Sequence, residues 1–310
     1  NISNNRVLIP LYHLRLVAAD RRYPGKGGYA VRTVVNPWGN SKNVISLSGS
    51  DIDGVKEAVK VFLEELKVKQ RDVFVEYLLK IRLGEDFKSR FKQLEFDPDE
   101  KFIEEQVKIG RQSIEEGMHR GITPNLSHAG FMYLLTGREE YAELYLRLFK
   151  VMYESAVNDT GEGPWSPWGF DADFQSYSMI TAWDSVEHSP IFTEVDKKYI
   201  LNHLIDYLKN NIKHAKRHAP KNPEAPRHNH YTFAALGLLY GAKYFKRNFD
   251  LPDAEEWLKI ADECFSIQTK LIKPDEDCNT YQWLTLYHTL LYSLVRPDPT
   301  FLESGNATKC

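Results

Sequence analysis

The chain has 310 residues, 42% hydrophobic and 27% charged, a composition that excludes a disordered polypeptide; it also has no apolar run of the ~18 residues a membrane helix needs. The 40 Lys and Arg against 43 Asp and Glu leave a net charge of −3, so there is no basic field to gather nucleic acid or anionic lipid. Aromatic residues reach 13%, including 17 Tyr and 6 Trp, which suits either a bulky core or a surface that stacks flat ligands.

In chain order, the β-branched runs Val7 to Pro10, Tyr29 to Val35 and Asn43 to Leu47 alternate with Gly, Asn and Pro turns and predict strands. An amphipathic helix follows, with apolar positions at 55, 58, 59, 62 and 63 and a cap from Ser50 or Asp51. Residues 1–70 thus form a small α/β domain. From residue 71 strand patterns are expected to vanish, and helices are predicted near 71–83, 98–119, 124–136, 138–157, 172–186, 194–216, 229–247, 253–272 and 280–295. Their breaks are punctuated by Gly and Pro, as at Thr136-Gly137, Ser189-Pro190 and Pro220 to Pro226. Consecutive helices on short links pack as antiparallel hairpins, and no fixed repeat favours a solenoid. The expected fold of residues 71–310 is therefore mainly α, an incomplete α/α toroid. Cys264, Cys278 and Cys310 have no metal-ligand spacing, and a bridge between Cys264 and Cys278 stays open.

Three stretches could carry chemistry. Arg227, His228, Asn229, His230 and Tyr231 crowd the first turn of an apolar helix, whose unpaired N–H groups and positive partial charge suit a carboxylate. The plain alternative is that Asn229 caps the helix and the histidines satisfy loop carbonyls. Downstream, Tyr281, Thr285, His288 and Tyr292 fall on one helical face, beside a stripe of Leu284, Tyr287, Leu291 and Leu294, with Gln282 and Trp283 close by. Trp165 and Trp168 stand on a Gly/Pro loop, suited to stacking on sugar rings or to wedging between helices. Glu187 and His188 end another helix and could wall a pocket or be satisfied internally.

The segment Trp183-Asp184-x-x-Glu187-x-Ser189-Pro190-x-Phe192, the His-Asn-His cluster, and a Pro-Asp segment leading to Tyr287-His288 together resemble the helical domain of heparinase II/III-type and alginate-lyase-type polysaccharide lyases. The similarity runs from about residue 98 to 296. Residues 5 to 68 resemble, more weakly, the small α/β domain preceding catalytic domains in several carbohydrate-active enzyme families. The resemblance implies that Asn229 and His230 neutralise a uronate carboxylate and that Tyr287, 58 residues after Asn229, transfers protons, with Tyr281 as rival. It places Arg227, His228, Gln282, His288, Trp165, Trp168 and His188 around the substrate. It also implies an acidic polysaccharide or oligosaccharide as partner, a secreted or periplasmic setting, and a C-terminal β-sandwich following the helical domain.

The chemistry accounts for the residue types. Eliminating a 4-O-linked sugar from a uronate removes the C5 proton, which is feebly acidic until the adjacent carboxylate is neutralised. A phenol, with an ordinary pKa of about 10, serves both to take that proton and to protonate O4 when nearby cations lower it. The scheme requires no metal or cofactor. Two rivals stand beside it: an inverting glycoside hydrolase using two of Asp184, Glu187, Asp275, Glu276 and Asp277, and a non-catalytic glycan-binding module.

Overall fold

The computed structural model describes residues 5, 7–69, 72–88, 98–116, 122–157, 172–275 and 279–309. The chain opens with a short helix, α1 (Leu8–His13), where a strand was expected. Leu8, Leu11 and Tyr12 lie on helical spacing, and Pro10 sits in the first turn, where its missing N–H costs no hydrogen bond. Strands β1 (Tyr29–Val34) and β2 (Val44–Gly49) form as anticipated and pair antiparallel, Tyr29 opposite Gly49. Helix α2 (Ile52–Glu65) starts at Asp51, whose side chain accepts from Gly54 N at 2.7 Å. Its contact with the sheet is narrow, because Ala58 is buried against Val31 while Val55, Val59 and Leu63 remain exposed.

The helix expected over 71–83 is replaced by strands. After β3 (Lys67–Lys69) and β4 (Asp72–Phe74), which pair with each other, β5 (Leu79–Arg82) adds to the free edge of β1, giving the order β2-β1-β5. Leu79 and Ile81 are half-buried and Lys80 and Arg82 exposed, a period of two. The sheet therefore draws its third strand from beyond residue 70.

A single turn, α3 (Glu85–Lys88), precedes the helical body. That body comprises α4 (Glu100–Glu115), α5 (Ile122–Thr136), α6 (Glu139–Val157), α7 (Ser176–Val186, entered through a 3-10 turn at Ala172–Gln175), α8 (Glu194–His218), α9 (Asn229–Phe249), α10 (Asp253–Gln268) and α11 (Asn279–Val295). Two short turns, α12 (Thr300–Glu303) and α13 (Asn306–Lys309), follow. At the start of α8 Thr193 and Asp196 form a reciprocal capping box.

Helices α5, α7, α9 and α11 lie side by side and run the same way. Gly130 of α5 abuts Ala182 of α7 so closely that a Cβ there would lie 2.5 Å from the Ala182 Cβ. Ser176 sits against Gly237 towards one end of the α7–α9 contact, and at the other the Trp183 indole N–H donates to the Tyr244 hydroxyl at 2.7 Å. α11 lies along α9, with Asp275 N donating to Arg227 O at 3.0 Å just before it begins. α6, α8 and α10 return behind this layer as hairpin partners; Phe245 of α9, for example, meets Trp257 of α10 edge to face. One large core unites them, and each fully buried side chain such as Trp183, Trp257 or Phe265 contributes about 1.5–3 kcal/mol. The chain is thus mainly helical with a small antiparallel sheet. Among the described residues, no helix is long and apolar enough to cross a membrane.

Candidate functional site

At the start of α9 the loop chain turns inward, and Arg227, Asn229 and His230 are buried. The Arg227 guanidinium donates to Ala225 O (2.6 Å), Pro223 O (2.7 Å), Cys264 O (3.1 Å) and Glu263 O (3.3 Å), and its backbone N–H donates to Gln268 Oε1. This cation therefore clasps the 222–228 loop to α10 through carbonyl dipoles. Cys264, beneath it, is a free and fully buried thiol. His228, not Asn229, is the cap: its Nδ1 accepts from His230 N, and Asn229 occupies the first helical position. The His228 and His230 rings stack 5.3 Å apart at 14°, and His218 from the end of α8 stacks on His230 at 5.1 Å. Burial, with the neighbouring histidines, pushes His218 down to about 4 and leaves it uncharged at neutral pH. No group of three or more potential ligands among the described residues is placed to hold a metal.

Parallel packing brings the second cluster alongside the first. The Thr232 hydroxyl, one turn into α9, lies at hydrogen-bond distance, 3.0 Å, from His288 Nδ1 and donates to Asn229 O at 3.0 Å. His288 is 1% exposed, meets Phe233 edge-on at 4.2 Å, and is pushed down to about 3 by burial. It is a neutral hydrogen-bonding ring and supplies no positive charge. Thr285 and Tyr292 are buried on the same face of α11, whereas Tyr281, Trp283 and Tyr287 are exposed and Gln282 is half-buried. Trp283 and Tyr287, four residues apart, present neighbouring rings 6.3 Å between centroids.

Tyr287 opens onto a cavity of about 470 Å³. Leu291 of α11, Tyr240 of α9, Tyr177 and Thr181 of α7, and Phe131 and Leu134 of α5 form its floor. The remaining wall comes from the start of the chain, where Tyr12, His13 and Arg15 cross the helical layer and the Tyr240 hydroxyl donates to His13 O at 2.9 Å. Burial raises the Tyr177 and Tyr240 phenols; the Tyr287 phenol adds to that and the Arg15 cation opposes it. Arg15 has φ +59°. It ends α1 in a Schellman arrangement, with Arg15 N donating to Tyr12 O and Leu16 N to Leu11 O, at the position that Gly normally fills. An L-residue held there costs roughly 1–2 kcal/mol.

The Trp183 to Phe192 stretch begins about 9 Å along α7 from Tyr177, at 1.5 Å per residue, and continues past the end of that helix at Val186. Asp184 pairs with Arg247, and Glu187 accepts from the Tyr244 hydroxyl at 2.5 Å and lies 3.4 Å from His188 Nε2. Burial, reinforced by Asp184, raises Glu187 to about 8. His188 meets Tyr77 from the loop before β5 and is lowered by burial. The structure separates His188 from the α9 and α11 residues. Trp165 and Trp168 lie outside the described residues.

The sequence clusters on α9 and α11 are therefore neighbours, joined through Thr232 and His288, and of the expected residues that are described only Tyr287 reaches the cavity. Arg15, Tyr12, His13, Tyr177 and Tyr240 are cavity residues that sequence patterning missed. Scans against family models, curated proteins and solved structures return no match.

Proposed function

We propose that the chain acts on a uronate-containing glycan by β-elimination, and that its two-layer helical body is an incomplete α/α toroid. The observation that carries this reading is the juxtaposition of α9 and α11: Asn229-His230 and Tyr287-His288, nearly 60 residues apart, meet through Thr232, with the Tyr287 phenol at an open cavity. In this scheme hydrogen bonds to the uronate carboxylate make the C5 proton removable, and Tyr287 takes it and returns a proton to the departing O4. The exposed Trp283, Tyr281 and Tyr287 rings offer a stacking strip along which a sugar chain can lie. Since His288 is neutral and Arg227 is engaged by carbonyls, the carboxylate is met at this end by hydrogen-bond donors of Asn229 and His230.

The test is incubation with alginate, heparinoids, chondroitin and ulvan-type glycans while the ultraviolet absorbance of unsaturated uronate ends is followed. Tyr287→Phe is expected to lower kcat on the order of 10²- to 10⁴-fold, the usual contribution of general acid–base catalysis. Activity that survives Tyr287→Phe but is lost in Tyr281→Phe moves the proton transfer to Tyr281. Silence on every glycan, with binding intact, selects the non-catalytic module.

A further inference from the structure

Two arginines line the cavity beside Tyr287, the exposed Arg22 and the half-buried Arg15, and among the described residues Arg15 has no counter-ion. Arg15 is half-buried, its guanidinium is 3.4 Å from Thr181 Oγ1 and 5.7 Å from the centre of the Phe131 ring, and among the described residues no carboxylate comes within ion-pairing distance of it. Asp20, the one acid on the cavity wall among the described residues, is engaged in its own turn, accepting from Arg22 N at 2.6 Å, Tyr23 N at 2.9 Å and the Tyr12 hydroxyl at 3.2 Å. Around Arg15 stand phenols from three different helices, Tyr177, Tyr240 and Tyr287, and an apolar floor of Phe131, Leu134 and Leu291.

The backbone adds a second, independent observation. Arg15 sits in the left-handed conformation closing α1, where glycine is free of the steric penalty an arginine incurs. A residue retained against that preference, with its side chain directed at a cavity and few partners inside the protein, points to work done by the side chain. The planar fork of a guanidinium matches a carboxylate with two parallel hydrogen bonds, and the phenols and apolar floor match the hydroxyls and carbon face of a sugar ring.

We infer that the cavity is a subsite for the carboxylate of a sugar acid, with Arg15 as the residue that selects the acid over the neutral sugar. The sugar part of this inference rests on the proposed elimination activity; the anion part rests on Arg15 alone. The subsite puts a cation and the Tyr287 phenol against one ligand, which the α9 cluster, with its uncharged His218 and engaged Arg227, does not.

The experiment is calorimetric titration of the full chain with disaccharides of glucuronate, mannuronate and guluronate, each compared with the same disaccharide whose carboxyl has been reduced to an alcohol. At least one acid is expected to bind on the order of 10- to 100-fold more tightly than its alcohol, the factor a charge-assisted pair supplies. Arg15→Gly is expected to remove that preference while leaving the thermal midpoint unchanged or higher, because glycine fits φ +59°. Arg15→Lys, which keeps the charge and loses the fork, should fall between. The inference is overturned if no acid binds, if acid and alcohol bind alike, or if Arg15→Gly binds the acid as the native chain does. Arg15-dependent binding without unsaturated product sustains the subsite and refutes the elimination; product formation with an unchanged KM in Arg15→Gly does the reverse.

Discussion

Glu187 is an acid in a place that resists its ionisation. Burial, reinforced by Asp184 and opposed by the hydrogen bond from the Tyr244 hydroxyl, raises its pKa from 4.5 in the unfolded chain to about 8 in the fold. Between those values the folded state holds a proton that the unfolded state has released, so this site's contribution to stability is full below about pH 4.5 and is lost as the pH rises towards 8. Glu187→Gln keeps an acceptor for Tyr244 and abolishes that dependence. The variant's thermal midpoint, measured from pH 5 to 8, should gain progressively on the native chain as the pH rises; a constant difference would show that Glu187 ionises freely in the fold. The same residue illustrates what is legible in a sequence. The Trp183 to Phe192 spacing identifies a cluster worth attention, and in the structure its acids are internal partners of Arg247 and Tyr244. Asn229 and His230 are found from their crowding at a helix start, whereas Arg15 is invisible because nothing in Leu14-Arg15-Leu16 announces a left-handed residue.

At the level of elements, α5 depends on the rest of the chain for its ending. Gly137 N closes on Tyr133 O, but the next two carbonyls are met from afar, Leu134 O by the Arg32 guanidinium of β1 and Leu135 O by the Tyr23 hydroxyl at 2.9 Å. Tyr23→Phe leaves a buried carbonyl unmet at almost constant volume, and the expected loss in denaturant unfolding is about 1–3 kcal/mol; no change would mean that water reaches Leu135 O. Gly130→Ala is expected to cost about 1–3 kcal/mol, because the new methyl meets backbone as well as the Ala182 side chain and outweighs the better helix propensity. The long helices were legible because Gly and Pro punctuation bounds them and a 3.6-residue apolar period marks those, such as α4 and α6, that have a solvent face, while α5 is apolar nearly all round. The short pieces were not. Residues 71–83 are so rich in apolar side chains that the period of two at Leu79 and Ile81 is masked, and the Val7 to Pro10 run reads as a strand until its burial against the helical layer is known.

For the whole molecule, the sheet and the helical body are fastened at several distant points: Arg32 to Leu134, Asn36 Nδ2 to Arg247 O at 2.6 Å, Tyr23 to Leu135, and β5 threading back onto β1 after the small α/β segment has ended. Unfolding should therefore appear in calorimetry as one cooperative transition, with calorimetric and van't Hoff enthalpies equal; two resolved peaks would mean that the layers melt independently. The crossing of residues 11–16 over α9 and α11 also sets a timetable for synthesis. Leu11, Leu14 and Leu16 leave the ribosome some 230 and 280 residues before the surfaces that cover them, around Tyr240 and Leu291. For that interval the nascent chain carries an uncovered leucine ridge, and the cavity has its Tyr12, His13 and Arg15 wall but no complete floor until α11 has emerged.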